Sequence, residues 1–208
     1  MDLELTDKRA IVTGGSRGIG KAVALQLAME GADVGIAARD QERIDEACAE
    51  LASLTGRRIV GWSCDTRDDQ SVRTMVEGLA GALGGVDILV NAAAMPGGVV
   101  RPPKLGEITT EALWEEINTK VMGYLRCARE VAPRMVSQGW GRIVNVSGLA
   151  ARQSGSILGS IRNVSVAALS KNLADELSPH GVTVTVVHPG ATRTERTSDE
   201  MASRFTGN

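Results

Sequence analysis

Thr13-Gly-Gly-Ser-Arg-Gly-Ile-Gly20 is the stretch of this sequence whose residue types and spacing serve chemistry most directly. Glycines stand at 14, 18 and 20, with Ser16, Arg17 and Ile19 among them, after an apolar run and before a helical pattern. Gly14 permits a tight turn, Gly18 lets backbone approach a pyrophosphate, and Gly20 allows close helix packing. The helix that starts here offers unpaired N–H groups and a partial positive charge to phosphates. Such a turn suits a dinucleotide. Two guanidinium groups accompany it: Arg17 inside the loop, and Arg39 directly after Ala38 at the end of the second apolar run. An acid at position 38 would hold the ribose hydroxyls of NAD. Ala38 leaves that place uncharged, and arginine is the residue best suited to a 2′-phosphate. NADP(H) is therefore expected over NAD(H), with Asp40 the neighbouring carboxylate able to neutralise Arg39.

The elements that must position these residues alternate along the chain. Strands are predicted at Ala10–Thr13, Asp33–Ala38, Arg58–Cys64, Asp87–Asn91, Gly141–Val146 and Val182–His188. Helices are predicted at Ile19–Met29, Gln41–Leu54, Asp69–Leu83, Thr110–Gln138 and Ile161–Ser178. Alternation of this kind predicts an α/β fold, a Rossmann-type doubly wound parallel sheet of about six strands with helices on both faces. No repeat or linker divides residues 1–208, so one nucleotide-binding domain is expected.

Composition narrows the function further. A net charge of −2 and an aromatic content of 2% give no basic or base-stacking surface, which argues against nucleic acid and anionic membranes. The start, Met-Asp-Leu-Glu-Leu, lacks a basic and then apolar leader, and no run reaches membrane-spanning length. A cytoplasmic protein is expected. Cys48, Cys64 and Cys127 show no metal-ligand spacing and read as idle thiols, so no metal site is expected. His180 and His188 read as a helix-end and a strand residue.

The Thr-Gly-x-x-x-Gly-x-Gly spacing resembles the fingerprint of the short-chain dehydrogenase/reductase family. Further matches follow in order across nearly the whole chain: Asp65 after the third strand, Asn91-Ala-Ala-Ala94 after the fourth, and Pro189-Gly190 after the sixth. The resemblance implies that Asp65, with Thr66 beside it, meets the adenine amino group. It implies that Asn91 steadies the central strand end, that Ala92 and Ala93 line the ribose, and that Thr194 holds the nicotinamide carboxamide. Ala94 stands where the family has a glycine. The bland alternatives are a helix-capping Asp65 and an Asn91 that merely staples a strand end.

The family's chemistry needs a tyrosine to move the alcohol proton, a lysine four residues later, a serine on the carbonyl, and an asparagine on the preceding helix. Correct proton transfer is worth ~10²–10⁴ in rate. The single tyrosine here is Tyr124, with Ala128 four residues after it, so no Tyr-x-x-x-Lys exists. The resemblance puts the tyrosine position at Gly159 and the lysine position at Asn163; Lys171 lies too far along the helix. The serine position falls on Gly148, beside Ser147, and the asparagine position on Lys120 rather than Asn118. Lys120 and Ser147 are the remaining catalytic candidates, Lys120 pointing toward the space left at Gly159 and Asn163. Tyr124 lies one turn from Lys120 and reads more readily as packing.

After Pro189-Gly190 only 18 residues remain, so the substrate lid and last strand of the family are expected to be missing, with the sixth strand at an edge. By resemblance the two long helices would pair copies into a homodimer or homotetramer. Two functions are carried forward: an NADP(H)-dependent oxidoreductase acting on a carbonyl or alcohol through a non-standard site, and a non-catalytic NADP(H)-binding sensor or partner subunit.

Overall fold

The computed structural model describes residues 3–94 and 101–195. Six parallel strands form one sheet: β1 (Arg9–Thr13), β2 (Asp33–Ala38), β3 (Ile59–Ser63), β4 (Ile88–Asn91), β5 (Gly141–Val146) and β6 (Val182–Val187), in the order β3-β2-β1-β4-β5-β6. The central strands are apolar along their length because both of their faces are covered. Ala10, Ile11 and Val12 in β1 are all completely buried.

Helices α1 (Gly18–Met29) and α2 (Gln41–Thr55) pack on one face, where Ala24, Ala28, Ile44 and Leu51 meet Val12, Val34, Ile36 and Val90. On the other face lie α3 (Asp69–Leu83), α5 (Gly123–Gln138) and α6 (Ile157–Leu177). There Met75, Leu79, Cys127 and Val131 meet Ile11, Leu89, Ile143 and Val184. The helix expected over Thr110–Gln138 is an α-helix, α4 (Thr110–Glu116), then a π turn at Ile117–Met122, then α5. The wider turn leaves Asn118 free to accept Arg126 Nη1 on both its backbone and side-chain oxygens, at 3.3 and 2.9 Å.

Helix α6 begins a turn before the expected Ile161. Ser156 caps it by accepting the Gly159 amide at 3.0 Å, which draws the glycine- and serine-rich stretch into the helix. Strand β6 is an edge among the described residues, with Thr183, Thr185 and Val187 exposed on one side. At the N-terminal ends of the two central strands, Arg9 clasps Asp87 through Nε at 2.7 Å and Nη2 at 2.8 Å, fixing the starts of β1 and β4. No helix among the described residues is long and apolar enough to cross a membrane.

Candidate nucleotide and reaction site

The strand ends Thr13, Ala38, Ser63, Asn91 and Val146 all open onto the C-terminal edge of the sheet, where open α/β folds bind ligands. The chain turns from β1 into α1 through the glycine loop. Gly14 sits at φ +68, and a Cβ there would come within 2.9 Å of the Ala93 nitrogen. At Gly20 a Cβ would approach the Gly14 oxygen to 2.3 Å, so the loop closes on itself too tightly for any side chain. Thr13 Oγ1 accepts the amides of Ala92 and Ala93 at 3.2 and 3.3 Å, which locks the loop against the exit of β4. Ser16, Arg17 and Ile19 remain partly exposed around this turn, and Arg17 precedes α1 in extended conformation without a side-chain cap.

Asn91 is fully buried, and its side-chain nitrogen donates to Asn145 Oδ1 at 2.9 Å. Asn145 in turn donates to Ser170 Oγ at 2.9 Å, so a polar chain runs from the central strand into α6. The Asn91 Oδ1 atom is buried and has no partner, a polar vacancy beside the glycine loop. A tight cradle at the start of α1 and this orphan acceptor together fit a dinucleotide.

Arg39 is exposed at the end of β2, and its carbonyl accepts Ser63 Oγ at 3.3 Å. Asp40 does not neutralise it. That carboxylate caps α2 on the Arg43 amide at 3.3 Å and pairs with the Arg43 guanidinium at 3.1 Å. Asp65 is gripped by Arg67, whose Nη2 lies 2.7 Å from Oδ2. These hydrogen bonds hold the carboxyl below its ordinary range, against the opposing effect of burial. Thr66 is turned inward, donating to the Thr119 carbonyl at 3.3 Å, so it ties β3 to the π turn. Pro189 accepts the Leu149 amide at 3.1 Å, Gly190 is exposed, and the Thr194 methyl lies 3.8 Å from where a Gly18 Cβ would be. Ala94 is exposed at the edge of the described segment.

The polar residues around Lys120 bond chiefly to one another. Lys120 is 3% exposed, and its Nζ donates to the Ser147 carbonyl at 2.7 Å and to Asn163 Oδ1 at 3.0 Å. Burial draws the ammonium down from 10.5 to about 7; Arg162 adds to the fall and Glu116 opposes it. Ser147 donates its hydroxyl to the Asn163 carbonyl at 2.9 Å. The space expected at Gly159 is partly filled: a Cβ there would lie 3.1 Å from Ser156 Oγ and 3.5 Å from Ala150 Cβ. At Gly148 a Cβ would come within 2.8 Å of Asn163 Nδ2, so Asn163 occupies the room a serine would need. Tyr124 is buried, donates to the Val146 carbonyl at 2.9 Å, and has its hydroxyl pushed far above its usual range by desolvation.

Sequence reasoning missed Arg162 and Glu116, which form an ion pair beside Lys120. It also missed Glu195, whose Oε1 accepts the Gly18 amide at 2.6 Å. The partners in each pair come from separate segments, and no periodicity marks them.

A cradle for a dinucleotide at the head of a doubly wound parallel sheet defines a nucleotide-binding oxidoreductase fold. The family model described as short chain dehydrogenase matches residues 8–204, and the chain belongs to that family. It is 32% identical over 211 residues to a 3-oxoacyl-acyl-carrier-protein reductase of Staphylococcus aureus, covering 95% of this chain and 81% of that protein. It is 35% identical over 199 residues to the short-chain reductase NovJ of Streptomyces niveus, covering 95% and 74%. Among solved structures, L-sorbose reductase of Gluconobacter frateurii, complexed with NADPH and L-sorbose, superposes with a TM-score of 0.89 at 29% identity, over 99% of this chain and 77% of that one. A short-chain dehydrogenase of Burkholderia cenocepacia in complex with NADP gives 0.82 at 35% identity, over 96% and 82%.

Proposed function

We propose that this protein is an NADP(H)-dependent oxidoreductase that interconverts a carbonyl and an alcohol through a non-standard active site. The observation that carries the cofactor preference is the end of β2. Ala38 brings no charge there, Arg39 is exposed beside it, and Asp40 is committed to Arg43. A guanidinium so placed attracts a 2′-phosphate, and no carboxylate at position 38 repels it.

When bound, the nicotinamide supplies or accepts the hydride. The glycine loop would hold the phosphates at the start of α1, with Ala92 and Ala93 packed against Gly14 beside it. Asp65, Asn91, Pro189, Gly190 and Thr194 complete the cofactor's surroundings. Lys120 holds a proton at Nζ that it can release near neutral pH, as a general acid requires. The Ser147 hydroxyl, which donates to the Asn163 carbonyl, orients the substrate oxygen by turning away from that carbonyl.

The test is a screen of ketones and aldehydes with NADPH, with consumption followed by absorbance, for the wild type and Lys120→Ala. Turnover that falls at least tenfold in the variant is expected. Cofactor binding without turnover of any carbonyl would favour a non-catalytic nucleotide sensor instead.

A further inference from the structure

The start of α1 differs from those of α2, α3 and α6. Helices α2, α3 and α6 are each capped by the residue just before them: Asp40, Asp68 and Ser156. Arg17 makes no side-chain cap for α1, and the first turn carries no acid. The anion on this helix comes instead from Glu195, whose Oε1 accepts the Gly18 amide at 2.6 Å from 177 positions along the chain. Thr194, with its methyl beside Gly18, lays the same segment over the loop.

We propose that the Glu195 carboxylate is a built-in competitor for the phosphates of the dinucleotide, seated on the Gly18 amide until the cofactor displaces it. The proposal rests on the nucleotide-binding reading above and adds a regulation of that site. Chemically the carboxylate stands in for a phosphate oxygen: both are anionic acceptors suited to a free amide at a positive helix end. One N–H satisfies one anion at a time, and two anions held side by side repel. The cofactor therefore binds only the fraction of molecules in which Glu195 has swung away, and its apparent affinity falls by that fraction. For an exposed contact of this kind the penalty is about three- to tenfold.

The experiment compares the full chain with Glu195→Gln, and with Glu30→Gln as a control for loss of one partly exposed negative charge. NADPH affinity is read by nicotinamide fluorescence, and the Gly18 amide by NMR without nucleotide. The proposal expects Glu195→Gln to bind NADPH about three- to tenfold more tightly, Glu30→Gln to match the wild type, and the Gly18 proton to move upfield only in Glu195→Gln. Equal affinity in all three proteins, or an unmoved Gly18 proton, overturns the competitor while leaving nucleotide binding intact. No binding by any of the three at millimolar NADPH overturns the nucleotide-binding reading and the competitor with it.

Discussion

Lys120 Nζ donates to Asn163 Oδ1 at 3.0 Å, a buried contact that joins the π turn to the second turn of α6. The resemblance in sequence would place the amide on the first helix and the lysine on the second. The contact pairs a lysine on the π turn with an amide on α6. A charged donor and an amide acceptor within bonding distance should be energetically coupled. Lys120→Asn and Asn163→Lys are each expected to destabilise the fold, and the double exchange to recover part of the loss. A coupling of about 1–3 kcal/mol in a denaturant double-mutant cycle is expected. Additivity of the two single effects would show that the contact is incidental.

The buried ammonium also sets a pH dependence. Lys120 titrates at about 7 in the folded chain, against about 10.4 when unfolded. Between these values the unfolded chain binds the extra proton, so stability rises with pH, by at most ~1.4 kcal/mol per unit. Below pH 7 both states are protonated and the penalty of burying the charge is fully present. Wild type should therefore gain stability relative to Lys120→Met as pH rises from 7 to 9, in urea titrations. A difference independent of pH would contradict the lowered value, as would a gain confined to acid.

Much of the fold was legible because the signals that specify it are local. The predicted bounds of α3 and β5, Asp69–Leu83 and Gly141–Val146, are those observed; Asp68 caps the first, and a short apolar run marks the second. Helix α6 starts a turn before the sequence expectation because the cap on Ser156 outweighs Gly159 and Ser160, which resemble loop residues. The π turn left no trace in the periodicity. At the site, the glycine loop could be read from eight consecutive residues. The contacts of Lys120 could not, because Ser147 and Asn163 are 27 and 43 positions away and only folding brings them together.

Asn163 fills the room beside Gly148, which limits what that position tolerates. A Cβ at Gly148 would meet Asn163 Nδ2 at 2.8 Å, and the same amide is held through its oxygen by Lys120. Gly148→Ala is expected to cost about 1–3 kcal/mol in denaturant unfolding. Adding Asn163→Ala should relieve the crowding, so that Gly148→Ala costs less in that background than in the wild type. An equal cost in both backgrounds would place the strain elsewhere.

Asp87 anchors the starts of the central strands β1 and β4. Burial would raise its carboxyl, yet the Arg9 fork and the Arg9 amide hold it below the ordinary range. A carboxyl depressed in the folded state contributes stability above its unfolded value, and that contribution is lost as pH falls through the lower folded value. Asp87→Asn should cost about 1–3 kcal/mol at neutral pH by removing the carboxylate that accepts the Arg9 fork. The gap to wild type should shrink below about pH 4. Thermal melts at pH 7 and pH 3 check both parts, and an unchanged melting temperature at pH 7 would refute the anchor.

The most direct test of an NADP(H) site at the end of β2 is a parallel fluorescence titration of the full chain with NADPH and NADH, repeated with Arg39→Ala. Micromolar NADPH binding with weaker NADH binding is predicted, and Arg39→Ala should lose about 10–100-fold in NADPH affinity while NADH is little changed. Equal affinity for the two cofactors, unaltered by Arg39→Ala, would contradict it.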